Sequence, residues 1–170
     1  MFHKAVGNST EPDERRQTLE RLYRRYGGLV LRRARRLMAD EQTAHDVTQD
    51  VFVQLLRTTS TVDPQSEVAW LYRITTNCCL NLMRRGRRWR RIVRALPAEP
   101  VVSPSLSTAM LLRGVPEHLH EIAIYYGIDR MSQEEIALCL KLSQKTISNR
   151  LRELRAYLGD ELPVEKKGAQ

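Results

Sequence analysis

Apolar residues recur at three- and four-residue spacing through most of this chain, and this helical period constrains the fold more than any other feature. The first stripe predicts a helix from Pro12 to about Met38, in which Gly27 and Gly28 are candidate sites for a bend. Its apolar members are Leu19, Leu22, Tyr23, Tyr26, Val30 and Leu37. A chain with this pattern is expected to be built from amphipathic helices that share a core.

Two further helices are predicted before residue 95. Asp40 is a suitable N-cap for the second helix, which ends near Arg57. A third helix follows the polar connection TTSTVDPQSE and runs into RRGRRWRR, the arginine-rich stretch from Arg84 to Arg91. Cations are favoured at the C-terminal end of a helix, where the backbone dipole is negative. The predicted inner face of this helix consists of Val68, Leu71, Ile74, Cys78 and Leu82.

The segment ALPAEPVVSPSLS divides the chain, because its three prolines oppose a long helix or a packed strand. We therefore predict an all-α fold of two small helical domains, residues 12–94 and 108–158, joined by a linker at 95–107. Residues 1–11 and 159–170 are expected to be flexible tails.

The second domain contains the pattern of a helix-turn-helix. After a helix opened by Pro116, Ser132 and Glu135 have the spacing of a capping box, and Ser143 is placed to cap another helix after a short turn. The outward side chains of that last helix are amides, hydroxyls and cations, which can pair with base edges in the major groove, and a helix N-terminus can hold a phosphate. Solubility alone also produces polar outer faces, so this segment by itself leaves DNA reading and a plain solvated helix open.

Charge and cysteine content narrow the class of protein. Residues 1–95 contain 19 Lys and Arg against 10 Asp and Glu, so the basic excess lies in the first half and favours a polyanionic partner. Cys78, Cys79 and Cys139 are an odd number and are expected to be reduced core residues. His118 and His120 point away from each other on a helix, so no metal site and no cofactor is predicted. No long apolar window or signal core is present, and a cytoplasmic protein is expected.

Three blocks of the sequence resemble the extracytoplasmic-function class of bacterial sigma factors. They are DEQTAHDVTQDVFVQLLR, EVAWLYRITTNCCLNLMRRGRRWRR and VPEHLHEIAIYYGIDRMSQEEIALCLKLSQKTISNRLRELRAYL, and the resemblance extends from about Pro12 to Leu158. It implies a sigma-2 domain that binds core RNA polymerase and opens the minus-ten promoter element, followed by a sigma-4 domain that reads the minus-thirty-five element. It also implies an anti-sigma partner.

The resemblance assigns roles to particular residues of the first domain. An exposed face of the second helix would dock onto the β′ coiled coil of core polymerase through Asp46, Gln49, Asp50 and an exposed Phe52. Asn77 would capture an extruded minus-ten base together with the loop from Thr58 to Glu67. For Trp70 two roles are left open: it would either insert into DNA as a wedge or pack in the core of the domain. The side chains implied to contact the DNA backbone are Arg73, Arg84, Arg85, Arg87 and Arg88.

In the second domain, the helix-turn-helix would read the minus-thirty-five element. The candidate contacts to duplex DNA are Ser143, Gln144, Lys145, Thr146, Ser148, Asn149, Arg150 and Arg152. The sequence departs from the family at Arg130 and Lys141, where glycine is common and a left-handed backbone is convenient. A side chain in that conformation costs about 1 kcal/mol.

The mechanism implied by the resemblance is noncatalytic, and no nucleophile–base pair or phosphate-binding glycine loop is apparent in the sequence. A helix-turn-helix regulator that acts without polymerase is the main alternative, but it leaves the acidic face of the DVTQDVF segment without a role. A peripheral membrane protein would account for the arginines, yet it requires more large apolar side chains opposite them than Trp89 and Ile92 provide. An enzyme remains a background alternative.

Overall fold

The computed structural model describes residues 10–57, 67–92 and 103–158, and within these ranges the protein is helical and contains no strand. The predicted all-α fold is therefore confirmed. We refer to residues 10–92 as the N-terminal half and to residues 103–158 as the C-terminal half. The predicted tail at 159–170 and nearly all of the predicted loop Thr58–Glu67 lie outside the described residues.

The N-terminal half consists of three helices, α1 (Thr10–Leu37), α2 (Glu41–Arg57) and α3 (Glu67–Ile92). Helix α1 begins inside the tail predicted at 1–11 and passes through Gly27 and Gly28 as one continuous helix. The stripe predicted for α1 is buried at its central positions, whereas Tyr23 is 55% exposed. The apolar seam of α2 is buried at Ala44, Val47 and Val51.

Helix α2 begins where its sequence predicted. The carboxylate of Asp40 accepts hydrogen bonds from the backbone N–H and the hydroxyl of Thr43, both at 2.7 Å. These bonds satisfy a donor that the first turn of a helix leaves free, and they lower the pKa of Asp40 from its ordinary value.

Helix α3 is buried on more than one side, which the sequence did not predict. Leu71 and Cys78 of the predicted inner face are buried, but Thr75, Cys79 and Met83 are buried as well. The expectation for Val68 was wrong: this side chain is 44% exposed. In the same first turn, Glu67 is buried instead, and its carboxylate accepts a hydrogen bond from Arg21 of α1 at 3.1 Å.

The next described segment begins at Ser103, which lies against the end of α1. The backbone N–H of Ala39 donates to the carbonyl of Ser103 at 3.0 Å, and the N–H of Ser105 donates to the carbonyl of Leu37 at 2.8 Å. Ser105 also caps α4 (Leu106–Leu111), which includes the last two residues of the predicted linker. Most of that linker lies outside the described residues, but its last part is fixed to the N-terminal half.

The rest of the C-terminal half follows the predicted order. Pro116 precedes a 3₁₀ turn (Glu117–Leu119), α5 (His120–Ala123) and a π-helical turn (Ile124–Ile128), and then come α6 (Gln133–Leu140) and α7 (Gln144–Leu158). Their inward apolar side chains are buried, among them Leu119, Ile122, Ile136, Ile147, Leu151 and Leu154. The imidazole of His120 is buried against the carbonyl oxygen of Val115 at 2.9 Å, and burial lowers its pKa.

Arg130 and Lys141, the two positions at which the family commonly has glycine, both adopt a left-handed backbone conformation. Arg130 has φ of 60° and Lys141 has φ of 54°. At the end of α6, the N–H of Leu142 donates to the carbonyl of Ala137 at 3.0 Å and that of Lys141 to Leu138 at 3.4 Å, which is a Schellman motif with lysine where glycine is usual. The turn of the helix-turn-helix therefore keeps its geometry at a conformational cost.

Candidate functional site

The outward face of α2 is acidic and exposed. Asp46, Gln49, Asp50 and Val53 are all exposed, as expected for positions i, i+3, i+4 and i+7 on the side opposite a buried seam. The amide of Gln42 donates to the carboxylate of Asp46 at 3.1 Å. This face places two carboxylates and an aliphatic side chain on one surface of an otherwise basic domain.

The expectation that Phe52 is exposed was wrong. Its side chain is only 5% exposed, and its ring packs edge-on against Tyr23 of α1, with ring centroids 4.9 Å apart. Phe52 directly follows the buried Val51, and α1 covers that side of α2. The aromatic side chain exposed beside Phe52 is Tyr23, which the sequence pattern assigned to the core stripe.

Three candidate DNA-binding residues share one face of α3. Trp70, Arg73 and Asn77 follow one another at helical spacing, and all three are half-buried. Arg85, Arg87 and Arg88 are exposed beyond them, while Arg84 is half-buried and its guanidinium lies 3.3 Å from the Glu117 carboxylate. The arginine-rich end of α3 is therefore exposed to solvent, whereas the face around Asn77 is partly covered.

The C-terminal half covers the face around Asn77. Glu121 of α5 accepts a hydrogen bond from Asn77 and interacts with the charge of Arg73. The thiol of Cys139 on α6 donates to the carbonyl of Ala69 on α3 at 3.6 Å. Burial raises the pKa of Glu121, and the charge of Arg73 and the hydrogen bond with Asn77 oppose this shift.

A buried arginine joins the two halves. The Arg33 guanidinium pairs with the carboxylate of Asp129, and their side chains are 1% and 2% exposed. Arg33 also donates to the Thr76 hydroxyl at 3.1 Å and lies 4.1 Å from the centre of the Tyr72 ring. That ring stacks on Tyr125 of the C-terminal half, with centroids 6.2 Å apart. Removing one member of a buried pair of this kind commonly costs about 3–5 kcal/mol, because the other charge is left without a partner.

Sequence reasoning missed Arg33, although a signal was present. Arg33 lies three residues after Val30 and four before Leu37, so it occupies the apolar stripe of α1. An arginine at such a position must find a buried partner. The partner is 96 residues away at Asp129 and could not be identified from the helical period.

Helix α7 presents the predicted polar surface. Its exposed side chains include Gln144, Lys145, Asn149 and Arg152, whereas Thr146, Ser148 and Arg150 are half-buried. Ser143 is exposed, and its hydroxyl accepts the backbone N–H of Thr146 at 3.1 Å. The capping box of α6 is also present, since Glu135 accepts the N–H of Ser132 at 2.7 Å and Ser132 accepts that of Glu135 at 3.2 Å.

The three cysteines have the environment predicted for them. Cys78, Cys79 and Cys139 are free and buried, and burial raises the pKa of Cys79 to about 12. In the described ranges, no group of three or more metal-ligating side chains is found, and His118 is engaged with Glu153 at 2.8 Å. No helix in the described part of the chain is long and apolar enough to cross a membrane.

Comparison with known proteins matches most of the N-terminal half to a family model and most of the chain to a curated relative. The family described as sigma-70 region 2 matches residues 22–90, which extend from within α1 to two residues before the end of α3. The chain is also similar to the ECF RNA polymerase sigma factor SigE of Mycolicibacterium smegmatis, with 28% identity over 173 residues. The similarity covers 93% of this chain and 66% of the relative, so the chain spans just under two thirds of the length of that protein.

Proposed function

We propose that this chain, which matches sigma-70 region 2 over residues 22–90 and is similar to an ECF RNA polymerase sigma factor, binds core RNA polymerase and directs transcription initiation at particular promoters. The observation that carries this proposal is the region 2 match, which spans an acidic exposed face on α2 and an arginine-rich end of α3. A regulator that acts without polymerase gives the acidic face no role.

Core polymerase would dock on the outward face of α2. Asp46, Gln49 and Asp50 supply charge and hydrogen-bonding groups, and Val53 supplies apolar area at 42% exposure. A surface of this kind suits a basic protein partner such as the β′ coiled coil, because complementary charge steers the encounter. Tyr23 replaces the buried Phe52 as the candidate aromatic contact, since its ring is exposed beside Phe52.

The minus-ten element would be opened along α3. Promoter opening requires a surface that binds single-stranded bases more tightly than duplex DNA, because only differential affinity shifts the equilibrium. The Asn77 amide can pair with the edge of an extruded base, and Trp70 can stack on a base. Arg73, Arg84, Arg85, Arg87 and Arg88 would contact phosphates, which adds salt-sensitive affinity without sequence information.

The minus-thirty-five element would be read by α7. Gln144 and Asn149 can pair with adenine, and Lys145 and Arg152 can pair with guanine. Ser143 at the start of α7 suits a phosphate contact. The half-buried Thr146, Ser148 and Arg150 would complete this surface. An anti-sigma partner that competes with these surfaces is part of the proposal.

Copurification with core polymerase tests this function against the alternative of an independent regulator. The full chain, mixed with purified core enzyme, should elute with it and should be displaced by another sigma factor. A chain that binds duplex DNA but never associates with core polymerase would instead be a helix-turn-helix regulator.

A further inference from the structure

The helix-turn-helix contains one four-residue pattern twice. RMSQ occupies residues 130–133 and leads into α6, and KLSQ occupies residues 141–144 and leads into α7. In each segment a cation adopts a left-handed backbone, an apolar residue follows it, and a serine caps the next helix. We propose that the two cations, Arg130 and Lys141, bind phosphates of the duplex that α7 would read. This role depends on the proposed function of α7.

The apolar residue after each cation fixes the turn to the preceding helical segment. The backbone N–H of Met131 donates to the carbonyl of Tyr125 at 3.0 Å, and the N–H of Leu142 donates to the carbonyl of Ala137 at 3.0 Å. Met131 and Leu142 are also half-buried against the core. Each cation is therefore carried on a backbone that its neighbour holds in place.

Both cations are available to an anion. Arg130 and Lys141 are exposed, and neither side chain has a hydrogen-bond or ion-pair partner among the described residues. Other cations of the chain are already engaged: Arg35, Arg36 and Arg84 each lie against a carboxylate. Arg130 and Lys141 can thus bind a phosphate without first losing a partner.

The backbone conformation distinguishes a role for these side chains from plain solvation. A left-handed backbone disfavours any residue with a Cβ atom, whereas glycine adopts it readily, as Gly114 does in this same half with φ of 76°. The hydrogen bonds of both turns are made by backbone groups, so the turns themselves need no side chain. A cation at both positions costs stability, and a bound phosphate would offset that cost.

The two positions suit the DNA backbone rather than the base edges. In a helix-turn-helix on DNA, the second helix lies in the major groove and the first crosses the backbone. Lys141 precedes the Ser143 cap of α7 by two residues, and Arg130 precedes the Ser132 cap of α6 by two residues. Phosphates border the groove on both sides, so cations here would position α7 and add affinity that carries no sequence information.

A titration of the free full-length chain tests both contacts. The probe is a fluorescein-labelled DNA duplex of random sequence, and its anisotropy gives the affinity at several salt concentrations. Lys141→Gly and Arg130→Gly should each weaken binding by about threefold or more and reduce the slope of log affinity against log salt by about 1. Both variants should also unfold at higher urea concentration than the wild type, because glycine relieves the left-handed backbone. Damage to the fold would not produce a more stable protein that binds DNA more weakly.

Two further variants serve as controls. Lys141→Arg keeps a cation at the same position and should bind the duplex like the wild type. Arg113→Gly removes an exposed cation from the turn after α4, outside the helix-turn-helix, and should leave the salt slope unchanged. The two contacts are overturned by an unchanged slope in either Lys141→Gly or Arg130→Gly, by an equal reduction in Arg113→Gly, or by a wild type that does not bind the duplex.

Binding to core polymerase is measured separately, so that the phosphate contacts and the proposed function can fail independently. If the wild type binds the core enzyme while the glycine variants bind the duplex unchanged, the proposed function stands and the two contacts are removed. If the wild type never binds core polymerase, the proposed function is contradicted, and the DNA titration still decides whether Arg130 and Lys141 bind phosphates.

Discussion

Glu121 on α5 accepts a hydrogen bond from Asn77 on α3, so a carboxylate of the C-terminal half holds the side chain that is proposed to capture a promoter base. The carboxylate is held in a buried setting that raises its pKa, although Arg73, Arg84 and Arg150 interact with it. Ionisation of Glu121 therefore opposes the folded arrangement.

The first prediction concerns pH. A raised folded pKa means that the folded state binds more protons than the unfolded state, so stability is lost as pH rises from 4.5 through the folded pKa of Glu121. Glu121→Gln removes this loss while keeping an acceptor for Asn77. Urea unfolding between about pH 4.5 and pH 8 should show the variant gaining stability over the wild type as pH rises. Glu134 is exposed, so the control Glu134→Gln should show the same dependence of stability on pH as the wild type. If Glu121→Gln also showed the wild-type dependence, the raised pKa of Glu121 would be contradicted.

The second prediction concerns the turn of the helix-turn-helix. Lys141 adopts φ of 54°, a conformation that costs a side chain about 1 kcal/mol and costs glycine little. Lys141→Gly should therefore raise the free energy of unfolding by about 0.5–1 kcal/mol, measured by urea denaturation. Arg152→Gly, at an exposed helical position of α7, should lower it by about 1 kcal/mol instead. Destabilisation by both changes would show that the Lys141 side chain makes a compensating contact.

The third prediction concerns the acidic face of α2. Asp46→Ala combined with Gln49→Ala should weaken binding to core polymerase by about tenfold or more, because both side chains are exposed and would lie in the interface. Titration against labelled core polymerase gives the affinity, and circular dichroism checks that the helices are intact. Glu134→Ala removes an exposed carboxylate from α6 and should leave the affinity unchanged. An unaltered affinity in the double variant would remove α2 from the interface.

The fourth prediction distinguishes the arginines of α3 that would bind DNA phosphates from Asn77, which would recognise a base. Arg87→Ala combined with Arg88→Ala should weaken binding of all promoters and reduce the slope of log affinity against log salt by about 1 for each phosphate that the removed arginines neutralise. Asn77→Ala should instead change which promoters open and leave the salt slope nearly unchanged. Open-complex formation on a promoter panel at several salt concentrations measures both. Equal effects of the two changes on every promoter would contradict a base-reading role for Asn77.

The helices of this protein could be predicted from its sequence because each depends on local signals. Asp40 and Ser132 cap the starts of their helices with hydrogen bonds to residues three positions later. Lys141 lies in the turn directly after α6. The failures involve contacts between distant segments. Phe52 is buried because Tyr23 of α1 packs against it, and at the start of α3 Val68 is exposed whereas its neighbour Glu67 is buried.

The docking of the two halves was beyond the reach of sequence patterns. It depends on the pairing of Arg33 with Asp129 and on the placement of Glu121 against α3, and neither follows from helical spacing. The roles of α2, α3 and α7 came from a resemblance and are proposals; the third prediction addresses the role of α2, and the fourth addresses that of α3.

Transcription from genomic DNA tests the central claim most directly. The purified chain is added to core polymerase with a library of promoter fragments, and transcript starts are mapped with and without the chain. We predict new starts at a limited subset of fragments, and their loss when Asp46 and Gln49 are both replaced by alanine. A start-site map unchanged by the wild-type chain, under conditions where a known sigma factor redirects the same core enzyme, would contradict the account.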